Sequence, residues 1–259
     1  MPKENAVYPV AKVAIVTGGS RGLGRNTVIN LAGRGVDSIF TYNSNRAEAD
    51  KVVSAAREAG ARAIAIQLNT GSVGTFDAFV QSVREALATL GAERFDYLVN
   101  NAGTSHHNAF DQTTERELDD LYNVHFKGVF FLTQKLLPLI NDGGRIVNVS
   151  SGLTRFTLPG SSPYASMKGA VEVLTRYLAK ELGARGIAVN TVAPGAIATD
   201  FSGGMVRDNP EINKRVSEMT ALGRVGVPDD VGPMIAALLS EDNRWINGQR
   251  IEVSGGMVL

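Results

Sequence analysis

The chain of 259 residues contains no cysteine. That excludes disulfides, a thiol nucleophile and any cysteine-ligated zinc. Aromatic residues are scarce, 7% against 44% hydrophobic residues overall. The core must therefore be built from Val, Ile, Leu and Ala, as in a parallel sheet covered on both faces. Neither sign of charge is in excess: 26 Lys and Arg balance 26 Asp and Glu, and no basic run exceeds a pair. Nucleic acid is not an expected partner. No stretch approaches the ~20 apolar residues of a membrane span. The opening Met1-Pro2-Lys3-Glu4-Asn5 has no apolar signal core, so a soluble cytoplasmic protein with no membrane partner is expected. Of only three histidines, His106 and His107 are adjacent and would point to opposite sides of an extended chain. With no obvious third ligand, no metal site is expected.

What is present is alternation. Short apolar runs at 12–17, 37–42, 63–68, 97–100, 145–150, 187–192 and 250–253 read as strands. Between them, helical periodicity covers 23–34, 47–59, 73–90, 115–140 (one or two helices), 164–182 and 228–239. Such alternation requires crossovers, hence a parallel sheet with helices on both faces. No repeat or linker divides the chain, so 1–259 is read as a single domain. The least regular stretch, 195–223, is rich in Gly, Met, Asn and Pro, and is expected to be a substrate lid with a helical insert.

Ligands of open parallel sheets bind at the carboxyl ends of the strands. The first strand runs into Thr17-Gly18-Gly19-Ser20-Arg21-Gly22-Leu23-Gly24. Glycines there allow tight turning and let backbone N–H groups approach a pyrophosphate at a helix N-terminus. The sheet is thus expected to be doubly wound and of Rossmann type. The end of the second strand should report which dinucleotide binds, since an acid there would take the ribose 2′-hydroxyl of NAD. The chain instead reads Tyr42-Asn43-Ser44-Asn45-Arg46, with Asp37 and Glu48 poorly placed. Arg21 and Arg46, helped by Asn43 and Ser44, suit a 2′-phosphate, so NADP(H) is the expected cofactor.

Tyr164 and Lys168 stand four apart in Tyr164-Ala165-Ser166-Met167-Lys168, on one face of the predicted helix. A free phenol has a pKa near ~10. An ammonium ~4 Å away is worth about 4 kcal/mol at an effective dielectric of 20, up to ~3 pKa units. A tyrosine so placed becomes a proton donor near neutral pH, and the hydroxyl of Ser151 would hold a substrate oxygen beside it.

Taken in order, the glycine loop, Asn100-Asn101-Ala102-Gly103, Ser151, Tyr164-x-x-x-Lys168 and Pro194-Gly195 resemble the short-chain dehydrogenase/reductase family. The likeness runs from about 12 to 257. It is greatest to the soluble subgroup of 3-oxoacyl-carrier-protein reductases and carbonyl reductases. The resemblance implies that Tyr164 is the general acid or base, that Lys168 lowers its pKa and holds the nicotinamide ribose, and that Ser151 orients the carbonyl. It places Gly18, Ser20, Arg21, Gly22, Leu23 and Gly24 on the phosphates and Tyr42, Asn43, Ser44 and Arg46 near the 2′ position. Asn69 and Thr70 fall near the adenine, and Asn101, Ala102 and Gly103 beside its ribose. Pro194, Gly195, Ile197 and Thr199 shape the nicotinamide pocket, Gly195 letting backbone pass close to the ring. Two positions depart from the pattern. Asn69 replaces a usual Asp, which implies weaker adenine binding. His125 takes the place of a usual catalytic Asn, and reads either as a proton relay or as a buried structural residue.

The implied reaction is NADPH-dependent reduction of a ketone or β-keto ester to an alcohol, reversible, by a homotetramer. Thr104, Ser105, His106, Leu153, Arg155, Phe156, Pro159, Phe201, Met205 and Met219 are candidate pocket walls. Two other readings stand beside it. One is a 3-oxoacyl-carrier-protein reductase, which would want a basic patch, with Arg155 and Arg207 as members. The other is a catalytically silent dinucleotide-binding sensor or scaffold.

Overall fold

The computed structural model describes residues 11–259; the expectation for residues 1–5 lies outside them. The strands are β1 (Val13–Val16), β2 (Asp37–Tyr42), β3 (Ala63–Gln67), β4 (Phe95–Asn100), β5 (Ile140–Val149), β6 (Ala188–Pro194) and β7 (Arg250–Val253). They form one parallel sheet in the order β3-β2-β1-β4-β5-β6-β7. The helices are α1 (Gly22–Ala32), α2 (Arg46–Glu58), α3 (Phe76–Thr89), α4 (Glu115–Tyr122), α5 (Gly128–Leu136), α6 (Ser162–Glu181), α7 (Met205–Asp208), α8 (Pro210–Glu218) and α9 (Pro228–Leu238).

The two faces of the sheet bury separate apolar clusters. Ala14, Val16, Phe40 and Val99 pack against Val28 and Leu31 of α1, Val52 of α2 and Ile235 of α9. Val13, Ile15, Ile39 and Leu98 pack against Phe79 and Val83 of α3 and Leu132 and Leu136 of α5. Successive residues of one strand serve opposite faces, and both faces are covered, which is why the strands read as unbroken apolar runs. One polar seam crosses this interior. The Asn100 amide donates to Asn148 Oδ1 (2.8 Å) and Thr133 Oγ1 (3.0 Å), Asn148 donates to Thr175 Oγ1 (2.9 Å), and Thr191 joins Thr175 (2.8 Å). It ties the ends of β4, β5 and β6 to α5 and α6. Buried amides and hydroxyls are tolerated there because they satisfy one another.

The boundaries differ from expectation in one instructive place. The stretch 115–140, read as one or two helices, holds two, α4 and α5. Residues Asn123–Lys127 form a π-helical turn between α4 and α5. Pro138 stops α5 at Leu136 and is followed by a tight turn, because proline lacks an N–H and crowds the preceding turn. The strand then begins at Ile140, not 145, with a bulge opposite Phe95 and Tyr97. Gly128, where α5 begins, has no room for a side chain: a Cβ there would lie 2.2 Å from the Thr70 carbonyl oxygen.

Strand order reverses between β1 and β4, opening a crevice over their carboxyl ends. Residues 17–24, 101–104, 150–151 and 195–199 follow β1, β4, β5 and β6, and all lie along that edge.

Candidate active site

The glycine turn is shaped by what it packs on. Gly18 has φ +65°, and a Cβ there would lie 2.9 Å from Ala102 Cα; one on Gly24 would lie 2.2 Å from the Gly18 carbonyl. Asn101 locks the turn, its amide donating to the Thr17 and Gly18 carbonyls at 2.9 and 3.1 Å. Thr17 Oγ1 in turn accepts from the N–H groups of Asn101 and Ala102. Thr17 is a site residue that motif reading passes over, since its role lies in a bond to a distant loop. Arg21 precedes α1 in extended conformation with no side-chain cap on the helix, leaving the first N–H groups of α1 open to an anion.

At the end of β2, Asn43, Ser44 and Arg46 are exposed, Arg46 pairing with Asp50 (2.8 Å) and lying 5.9 Å from the Tyr42 ring centroid. Arg21 is exposed too, while Arg46 already shares its charge with Asp50 through Nε. Asn69 Oδ1 accepts from the Gly71 N–H (3.0 Å) and keeps a second lone pair for an adenine amino group. Gly22 faces Thr199, to which an added Cβ would come within 3.7 Å. Ile197 bridges to Gly226. Gly195 is also required to be glycine by packing within the chain. Its N–H donates to the Val253 carbonyl (3.0 Å), and a Cβ would lie 2.9 Å from Ser254 Cα. The crowding that requires glycine comes from the segment after β7.

Tyr164 and Lys168 stand on α6, with Lys168 Nζ 5.7 Å from the Tyr164 ring centroid. Lys168 is buried, and its ammonium donates to the Val149 carbonyl at 2.8 Å. Ser151 follows β5, where its Oγ accepts from the Leu153 N–H (3.2 Å) and starts the next turn. Its own O–H is directed to the Tyr164 hydroxyl. Burial pushes Tyr164 up to about 12, with the Ser151 hydroxyl pulling the other way. Burial pushes Lys168 down to about 8. The expectation that Lys168 lowers the phenol is not met in the chain alone. The ammonium is turned to a backbone carbonyl, and loss of hydration dominates. At neutral pH the pair is a neutral phenol beside a protonated amine.

His125 lies within the π-turn and is 1% exposed. Its ring meets Tyr164 edge-on, centroids 5.1 Å apart at 85°. Nε2 is 2.8 Å from the Thr104 carbonyl, and Nδ1 is buried with no partner among the described residues. Burial, then the charge of Lys168, push the ring down to about 3, so it is neutral. Nε2 also lies 3.4 Å from the Thr104 hydroxyl. The ring is packed between the π-turn, the loop after β4 and the tyrosine ring. His106 and His107 diverge as expected, His106 standing 4.0 Å from Glu117 while His107 packs on Gly160.

The neutral ring has a pH consequence. The folded value of His125 lies below the unfolded one, so its contribution is complete above about 6.5 and is lost as pH falls toward about 3. The slope is at most ~1.4 kcal/mol per pH unit. Urea unfolding at pH 7 and pH 5 should show the parent chain losing on the order of 1–2 kcal/mol more than His125→Gln, which has no proton to take up. Equal losses would refute the buried neutral ring.

The family model described as Enoyl-(Acyl carrier protein) reductase matches residues 18–258. The chain is 36% identical over 258 residues to a hydroxynaphthalene reductase-like protein, Arp2, of Metarhizium brunneum, covering 95% of each. Among solved structures it resembles LugOII, a promiscuous reductase that catalyses keto-reduction at C1 during lugdunomycin biosynthesis. The TM-score is 0.92 with 38% identity, over 97% of this chain and 100% of that one. It also resembles the angucycline C-6 ketoreductase LanV with bound NADP, at TM-score 0.91 and 35% identity over 96% of each chain. Matched over nearly its whole length by the family model and by these relatives, the chain belongs to the short-chain dehydrogenase/reductase family.

Proposed function

We propose that the chain reduces a hydrophobic, ring-bearing ketone to an alcohol with NADPH, reversibly. The observation that carries this reading is the meeting of Ser151, Tyr164 and Lys168 at the carboxyl end of β5, beside the glycine turn. The residues fit a dinucleotide. The first N–H groups of α1 lack a side-chain cap, and Lys168 has spent one of its three N–H bonds on Val149, leaving two for a ribose. Arg21 and Arg46 suit the 2′-phosphate. NADPH, when bound, supplies the hydride that reduces the carbonyl carbon.

The chain's own part is polar. The Ser151 O–H donates to the carbonyl oxygen, whose charge grows as hydride arrives. Tyr164, neutral at physiological pH, donates its proton to that oxygen, and the Lys168 ammonium stabilises the tyrosinate left behind. Phe201 lies over this centre with its ring centroid 6.1 Å from that of Tyr164, and Met205 follows, an apolar lining that suits flat rings. Relatives named for hydroxynaphthalene and angucycline ketones support the same substrate class. We read 1–259 as one domain with 195–223 as its lid. Ser202, Gly203 and Gly204 are all left-handed (φ 55°, 66° and 78°), which makes a sharp hinge just after Phe201.

The carrier-protein reading has less behind it. Arg155 is forked on Glu252, and Arg207 pairs with Asp200 and Asp208, so neither offers free positive charge to an acidic partner. A silent sensor would not need the serine, tyrosine and lysine together.

A homotetramer is part of the proposal. Leu118, Tyr122 and Phe130 on α4 and α5, with Val173 and Tyr177 on α6, are large apolar side chains left exposed, Tyr177 at 64%. No described helix is long and apolar enough to cross a membrane. A cytoplasmic setting is proposed with the NADPH requirement.

Tyr164→Phe should lower turnover of ketones by ~10²–10⁴-fold with NADPH affinity retained; near-parental turnover would refute the assignment. Arg21→Ala with Arg46→Ala should reduce the NADPH-to-NADH ratio of kcat/KM by about tenfold or more; an unchanged ratio would remove these arginines from the 2′ site. Val173→Glu with Tyr177→Glu should convert tetramer to smaller species in sedimentation, and a tetramer surviving both would place the interface elsewhere.

A further inference from the structure

A line of four alternating charges runs behind Ser151, and none has been given a role. Glu172 is one helical turn beyond Lys168 on α6, so Tyr164, Lys168 and Glu172 fall on one face. Its Oε1 accepts from Ser150 Oγ (2.7 Å), Thr154 Oγ1 (2.7 Å) and Arg250 Nε (2.9 Å). Arg250 also donates to the Ser151 carbonyl (3.3 Å) and to Glu252 (3.0 Å). Glu252 receives the fork of Arg155 at 2.7 Å on both oxygens. Arg155 finally holds the chain's last residues through the Met257 and Val258 carbonyls.

Those last residues are held on their other side too. Thr220 bridges antiparallel to Met257, Leu222 donates to Gly255, and Val258 N donates to Met219 (2.9 Å). Val258 is left-handed at φ 52°, which a β-branched residue adopts only when its surroundings fix it. The ladder therefore begins on the helix of Tyr164 and Lys168, passes both ends of the Ser150–Thr154 turn, and ends at the foot of 195–223. The rungs are mostly shielded: Glu172 is 13% and Glu252 20% exposed, and paired charges at such depth hold a geometry firmly.

We propose that Glu172, Arg250, Glu252 and Arg155 form a positioning ladder that sets the Ser151 hydroxyl against Tyr164 and ties that setting to the base of the segment over the cleft. These are positioning residues, and the proposal rests on Ser151 being the group that orients the carbonyl. If the ladder acts through Ser151, its loss must cost little once Ser151 is gone.

A double-mutant cycle reads this directly, using the full chain, NADPH and 2-tetralone as probe. Glu172→Gln should lower kcat/KM by about tenfold with the NADPH Kd within about twofold of the parent, and cost less than about twofold when added to Ser151→Ala. Arg155→Gln, at the exposed end where folding is not at risk, should lower kcat/KM by about threefold, again only while Ser151 is present. Equal losses in both backgrounds would show general destabilisation and overturn the ladder while leaving Ser151 in place. Parental kinetics for both variants would also overturn it. Unaltered kinetics of Ser151→Ala alone would instead remove Ser151 from catalysis, a separate failure.

Discussion

A single buried ammonium organises this cleft. Lys168 has been taken almost wholly out of water, which costs several kcal/mol unless its charge is met by good partners. One partner is visible, the Val149 carbonyl at the end of β5. That bond fixes the angle at which α6 leaves the sheet edge, and with it the direction in which Tyr164 points. Burial first, and that same charge second, keep His125 neutral, because a second cation there would be both desolvated and repelled. With two N–H bonds unspent and its affinity for protons lowered to about 8, Lys168 favours a polar, oxygen-rich ligand beside it.

The rest of the edge serves to hold other groups still around that charge. Asn101 and Thr17 bind the glycine turn to the loop after β4, so the phosphate cradle and the wall above the cleft move as one piece. The seam of Asn100, Asn148, Thr175 and Thr191 fixes strand ends on which Ser151 and the Gly195 loop are carried. These contacts are short, polar and buried, so a change in one displaces its neighbours.

Much of this was legible in the sequence. Strand-helix alternation gave the sheet, since period-two and helical patterns differ even when both faces are apolar. The Tyr164–Lys168 spacing is set by helix geometry and needed no coordinates. What could not be read were consequences of contact between distant segments. The π-turn at Asn123–Lys127 adds no sequence signature, and the bulge at the start of β5 depends on its pairing with β4. The packing of Gly195 against Ser254 could not be read either, because the two are remote in sequence. Glu172 did carry a signal, lying four residues past Lys168, but its meaning depends on Ser150, Thr154 and Arg250 arriving from two other elements. In the chain alone burial of the phenol is the larger effect, and a Coulomb argument at fixed distance does not contain it.

The replacement of an amide by His125 then bears on where the proton of each cycle comes from. The ring is held through Nε2 at the Thr104 carbonyl, and the neutral imidazole resists charging. Tyr164 must regain its proton from a neighbour. In the chain alone the phenol stands at about 12 and the ammonium at about 8. The ammonium is thus by far the stronger acid of the two, and a tyrosinate formed next to it would draw a proton from it, directly or through a bridging hydroxyl. Lys168 would then be refilled along its N–H directions that do not meet Val149. His125 meets the tyrosine ring edge-on beside that pair, so the imidazole helps to fix the angle at which the phenol is presented.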